Sequence, residues 1–142
     1  MPARLGPEEL RYIALFQDIT GATVMDCIID EEFDRVIYVV KAEDMGKAIG
    51  KRGSNARKLA ELLKKNVEII EYAESLEDMV KTLFKGVNIT RMNLIEKNDK
   101  KILYINVPME QKGRAIGRNG KNIKKARMIL ARLFDIDHVA LS

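Results

Sequence analysis

The chain has 142 residues, 46% of them hydrophobic and 32% charged, with one cysteine, one histidine and a net charge of +4. That length suits one ordinary domain or two small ones, and the lone Cys27 excludes an intrachain disulfide. No apolar run reaches the roughly 18 residues of a membrane helix, and Met1-Pro2-Ala3-Arg4 carries no export-signal pattern, so the reading is a soluble cytoplasmic protein without a membrane partner.

Gly6-Pro7-Glu8-Glu9 suits a helix start, with proline in the first turn and acids at the positive end of the dipole. Tyr12, Leu15, Phe16 and Ile19 then fall on one helical face, and Gly21 supplies the stop. Residues 23–30 and 35–41 are β-branched runs that predict a hairpin, with Cys27 as a small core residue. Asp30, Glu31, Glu32 and Asp34 crowd its turn, where charges are expected to be solvated rather than to hold a metal. A short helix follows over 43–49, then Gly50-Lys51-Arg52-Gly53. A second helix carries Ala56, Leu59, Ala60 and Leu63 on one face, and residues 67–72 read as a strand.

The same order returns. Ser75-Leu76-Glu77-Asp78 is a capping box leading into the stripe Leu76, Met79, Val80, Leu83 and Phe84, which Gly86 ends. Residues 87–96 and 102–107 predict paired strands around Lys97-Asn98-Asp99-Lys100. Residues 109–116 predict a short helix, 121–134 a longer one with Ile123, Ala126, Leu130 and Leu133 inward, and 136–141 a last strand. Two units are expected, 1–73 and 74–142. The link Ala73-Glu74 is too short for free tumbling, which predicts a near-fixed spacing between them.

Laid over itself at an offset of 67 without gaps, the chain matches Gly46, Ala48, Ile49, Gly50, Gly53 and Asn55 with Gly113, Ala115, Ile116, Gly117, Gly120 and Asn122. A glycine framework seldom coincides by chance, so the chain is a tandem repeat. Positive charge follows the motif. Residues 1–72 are net −2 and residues 73–142 net +6, and positions 112–132 hold eight basic residues and no acid.

Glycines at both corners of a turn between helices permit positive φ and remove the Cβ that would hold a sugar-phosphate chain away. The helix start adds free amides, and Lys51-Arg52 or Arg118-Asn119 add cations, so each turn is a candidate anion clamp. The second turn has one cation fewer, which predicts a weaker salt slope there, compensated by Lys121, Lys124, Lys125 and Arg127. Val40, Ile69, Val107 and Ile136, beside Ile49 and Ile116, are expected to floor an apolar groove for bases. Aromatics make up only 6% of the chain, so stacking on exposed rings is a poor fit. A P-loop is excluded by spacing and by Arg52 where a hydroxyl must bind magnesium. His138 has no second histidine for a zinc site, and no catalytic set, cofactor or small-molecule substrate can be argued.

These residues resemble the KH domain, whose Ile-Gly-x-x-Gly loop is met in both copies, and the element order is similar to its type II form. The resemblance implies an α+β fold of two tandem type II KH domains, each a three-stranded sheet with helices packed on one face. The pair is similar to the RNA-binding core of the NusA family of transcription elongation and termination factors, in what looks like its short archaeal form, without the polymerase-binding region and S1 domain of bacterial members. It implies a non-enzymatic protein that grips single-stranded RNA through Gly50, Lys51, Arg52, Gly53 and Gly117, Arg118, Asn119, Gly120. Lys47, Ile49, Arg114 and Ile116 would line the sites, with Asn55, Arg57, Lys121, Asn122 and Lys124 on the helices that follow. RNA polymerase and the ribosome are the candidate larger partners. The alternatives are a ribosome-assembly or ribosome-associated KH factor and a protein-interaction adaptor.

Overall fold

In the computed structural model, which describes residues 5–142, Gly21 ends the first helix at φ 73° and caps it by donating its N–H to the Gln17 carbonyl. This helix, α1 (Pro7–Thr20), leads to β1 (Val24–Asp30) and β2 (Arg35–Val40), then α2 (Met45–Ile49), α3 (Ser54–Leu63) and β3 (Asn66–Glu71). The second set is α4 (Leu76–Leu83), β4 (Arg91–Lys97), β5 (Lys100–Asn106), α5 (Lys112–Ile116), α6 (Lys121–Phe134) and β6 (His138–Leu141). The chain divides between Ala73 and Glu74 into two compact units. Met1 to Arg4, the stretch without an export-signal pattern, lies outside the described residues.

Each unit holds one three-stranded sheet, in the orders β1-β2-β3 and β4-β5-β6. The first pair in each is antiparallel and the second parallel. A parallel neighbour requires a crossover, and here the crossover is the helix-turn-helix that carries the glycine loop. The sheet thus fixes both ends of that loop's supports.

In the first unit Phe16, Cys27, Val36, Tyr38, Val40, Ala48 and Leu59 form the core, with Tyr12, Leu15, Ile19 and Leu63 packed against it. Phe16 and Tyr38 stack with ring centroids 4.2 Å apart, an aromatic pair worth about 1 kcal/mol beyond its buried area. The Tyr38 hydroxyl donates to the Tyr12 carbonyl at 2.9 Å, and burial pushes its phenol well above the ordinary range. In the second unit Met79, Val80, Leu83, Leu103, Ile105, Ile123, Ala126, Ile129 and Leu130 are buried. Ser75 caps α4, its hydroxyl accepting the Asp78 N–H at 3.1 Å.

Four expectations are corrected. Residues 87–90 are not strand: Val87 donates back to Phe84, and the Asn88 N–H is taken by the Gln111 side chain at 2.6 Å, so β4 begins only at Arg91. Residues 136 and 137 also precede the last strand, because Ile136 bonds back to Leu130 and closes the helix. The acids of the first hairpin are not all solvated. Asp26 and Asp30 are buried, and Asp30 meets the buried Arg35 at 2.8 Å, with Glu68 on the other side of that guanidinium at 3.1 Å. Finally, Val40, Val107 and Ile136 are buried inside their units and do not line an open groove.

Candidate nucleic-acid interface

Each loop is built the same way. After α2, Gly50 takes φ 75°, ψ 175°, Arg52 φ 55°, ψ 32°, and Gly53 φ 73°, ψ 18°, and α3 begins at once. After α5, Gly117 takes φ 79°, ψ 168°, Asn119 φ 57°, ψ 23°, and Gly120 φ 79°, ψ 14°. Only glycine occupies the first of these conformations readily. Space imposes the same choice: a Cβ on Gly50 would lie 2.9 Å from the Asn55 side chain, and one on Gly117 would lie 2.8 Å from the Asn122 backbone nitrogen.

The loop's own hydrogen bonds are few. Gly50 donates to Gly46, Gly53 to Gly50 and Ser54 to Lys51, which leaves the Lys51 and Arg52 amides at the crest outside that set. The second loop repeats this with Gly117, Gly120 and Lys121 as donors and Arg118 and Asn119 at the crest. Lys51, Arg52, Arg118 and Asn119 are all exposed. Crest amides beside exposed cations at a helix start can accept an anion without displacing an internal bond.

Ile49 and Ile116, the residues just before the two loops, are each 40% exposed and share the same place in the repeat. One large aliphatic side chain is thus left open beside each loop. Lys47 is exposed on the same short helix.

The other expected site residues differ in how far they are engaged within the fold. Asn55 donates its amide to the Lys47 carbonyl at 2.8 Å, and Asn122 donates to the Ala115 carbonyl at 2.9 Å and to Leu83 at 3.3 Å. These side chains tie the helix after the loop to the helix before it. Arg57 reaches back to the Arg52 carbonyl, and Arg114 donates to the Gly86 carbonyl at 2.7 Å, so both charges sit near the loops with part of their donors committed. Lys121, Lys124 and Lys125 are half-buried and engaged within the chain, whereas Arg127 is more exposed and also donates to Val139 at 3.4 Å. Asp44 and Gln111 were not among the expected residues, yet they anchor the starts of α2 and α5 to the segments preceding β1 and β4. Their shared position at the 67-residue offset is the signal that marks them.

The comparisons with known proteins bear on the same elements. The family model described as KH domain matches residues 10–90, and the one described as NusA-like second KH domain matches residues 76–141. A protein of Halobacterium salinarum named "Probable transcription termination protein NusA" is 39% identical over 142 residues, with both chains covered in full. The chain belongs to the archaeal NusA family of tandem KH proteins. A NusA of Methanococcus vannielii with the same name is 32% identical over 98% of this chain and 79% of its own. The crystal structure of APE1850 is 45% identical and covers 97% of this chain and all of its own at a TM-score of 0.90. The α+β architecture with two KH units is therefore that of the family. Among the described residues no helix is long and apolar enough to cross a membrane.

Proposed function

We propose that the chain is an RNA-binding factor of transcription that holds single-stranded RNA at two sites, each gripped by a Gly-x-x-Gly loop. The observation that carries this reading is the recurrence of one strained loop conformation, with open crest amides and exposed cations, in both units. The names of the archaeal NusA relatives support a role in transcription termination. On this reading nascent RNA is the ligand and RNA polymerase the larger assembly in which it is met.

Each clamp takes about four nucleotides, with the backbone against the crest and bases beside Ile49 or Ile116. Phosphate contact supplies most of the affinity and little sequence information. Two weak sites on one chain act on a continuous strand at an effective concentration on the order of millimolar, so occupancy of one favours the other. The protein's role is binding, with no chemical step.

Ultraviolet crosslinking of the full chain to cellular RNA, followed by identification of the modified peptides, tests this. Crosslinks are expected in the segments around Gly50-Gly53 and Gly117-Gly120. Crosslinks absent from both segments would refute the reading.

A further inference from the structure

Strand β5 alternates between Leu103 and Ile105, which have no solvent exposure, and Tyr104 between them, which is 38% exposed. Alternation places Tyr104 on the sheet face opposite the packed helices. The register identifies its neighbours there: Asn93 lies directly across on β4 and Ala140 across on β6. Both are short, so they leave the ring accessible from either side. Of the chain's eight phenylalanines and tyrosines, all among the described residues, Tyr104 alone is exposed and the others are buried or half-buried.

The rest of this face follows from the same pairing. Ile95 sits opposite Ile102, and Ile95 is 40% exposed. Arg91 and the pair Lys97 and Lys100 stand towards the two ends, and His138 pairs with Ile102 from the other side. None of Arg91, Lys97 and Lys100 forms an ion pair among the described residues. Among the described residues no aspartate or glutamate side chain belongs to this face. Glu96 points to the opposite face, Asp99 is confined to the turn, and the Asp137 carboxylate accepts the Lys101 N–H at 2.7 Å.

The corresponding face of the first unit has the opposite character. There Ile37, at the place of Tyr104, has no exposure, and Asp26, Asp30 and Glu68 accompany Arg35. The repeat has thus kept the sheet and exchanged a closed, acidic face for an open, cationic one.

We propose that this outer face of the second unit's sheet is a further contact surface for single-stranded RNA, on which one base stacks against Tyr104 while Arg91, Lys97 and Lys100 neutralise adjacent phosphates. Charge complementarity selects a polyanion, and a lone accessible ring among short side chains selects a strand with unstacked bases over a duplex. The proposal takes its ligand class from the loop reading but uses none of the loop residues.

The test uses the full chain and a mixed-sequence RNA of about 12 nucleotides, a length within known single-strand site sizes. Tyr104→Ala, Tyr104→Phe and the double variant Lys97→Gln, Lys100→Gln are titrated, each with wild-type loops and with loops carrying aspartate at Lys51, Arg52, Arg118 and Asn119. In both backgrounds Tyr104→Ala is expected to weaken binding about tenfold at an unchanged melting midpoint, and Tyr104→Phe to stay within about twofold. The lysine variant, which leaves the ring in place, should lower the salt slope by about 1.4. Tyr104→Ala and the lysine variant both matching their parents would overturn the proposal. So would unchanged RNA affinity accompanied by loss of a protein partner. Aspartate loops that bind as the wild type does, alongside a Tyr104 effect, would sink the loop reading and leave this one standing.

Discussion

Asp44 and Gln111 occupy the same place in the two repeats, and each accepts a backbone N–H, one through a carboxylate and the other through an amide. The Asp44 carboxylate accepts the Thr23 N–H at 2.8 Å, and the Gln111 amide oxygen accepts the Asn88 N–H at 2.6 Å. Each bond ties the start of a loop-bearing helix to the segment ahead of the first strand. That Thr23 bond, followed by the nearby Lys47 and Lys41, holds the Asp44 carboxyl below its ordinary range. A depressed folded value means that the contribution is complete above the unfolded value and is lost as pH falls through the folded one. Hydrogen exchange by NMR should therefore show the Thr23 amide losing protection on acidification, while Asn88 keeps its own. Loss at both amides together would contradict the assignment.

Gly50 and Gly117 lie where only glycine is comfortable, whereas Gly53 and Gly120 lie in the left-handed region that asparagine tolerates. Alanine at Gly50 or Gly117 should destabilise its unit by about 3 kcal/mol, from strain together with the approach to Asn55 or Asn122. Asparagine at Gly53 or Gly120 should cost under about 1 kcal/mol. Denaturant unfolding of the four variants checks the ranking. Equal costs at the first and last glycines of each loop would show that loop geometry is not what selects them.

The two tie residues should also differ. Asn122 donates to two carbonyls and Asn55 to one, so Asn122→Ala should cost about 2 kcal/mol and Asn55→Ala about 1 kcal/mol. Chemical denaturation measures both, and a larger loss at Asn55 would argue against this role.

Much of this was legible in the chain because glycine and proline punctuate it and the repeat checks itself. Gly50, Gly53, Gly117 and Gly120 revealed the loops, and the stripes of α1, α3, α4 and α6 fell on the faces that are buried. What stayed hidden depends on partners distant in sequence. Residues 87–90 look like strand until the Gln111 side chain, 23 positions on, claims the Asn88 amide. Asp30 looks like a solvated turn acid until Arg35 is found buried against it. Asn55 and Asn122 match in the repeat as ligand residues would, and only the structure shows that their amides also donate to carbonyls within the fold. Composition counted few aromatics and could not tell that one of them, Tyr104, is exposed.

The Arg35 network offers a separate check on the first unit. Arg35 and Asp30 have side chains about 1% exposed, and the guanidinium lies 5.1 Å from the Phe33 ring centroid. Arg35→Ala leaves a buried carboxylate without its counter-charge and should cost about 3–5 kcal/mol. Replacing the pair together, Arg35→Met with Asp30→Leu, should cost less than either single change. A double-mutant cycle in denaturant decides it, and strictly additive losses would show that the two charges do not compensate each other.

RNA binding as proposed rests on two loop crests that hold the phosphates of one strand. Its most direct measurement is the affinity of the full chain for a single-stranded RNA, followed through a salt series, before and after Lys51, Arg52, Arg118 and Asn119 are changed to aspartate. Every corner glycine is kept, and aspartate tolerates the positive φ at Arg52 and Asn119, so the fold should survive. Affinity should fall at least about tenfold and the salt slope become shallower, with the melting midpoint unchanged. An affinity and slope equal to the parent's would contradict this mode of binding.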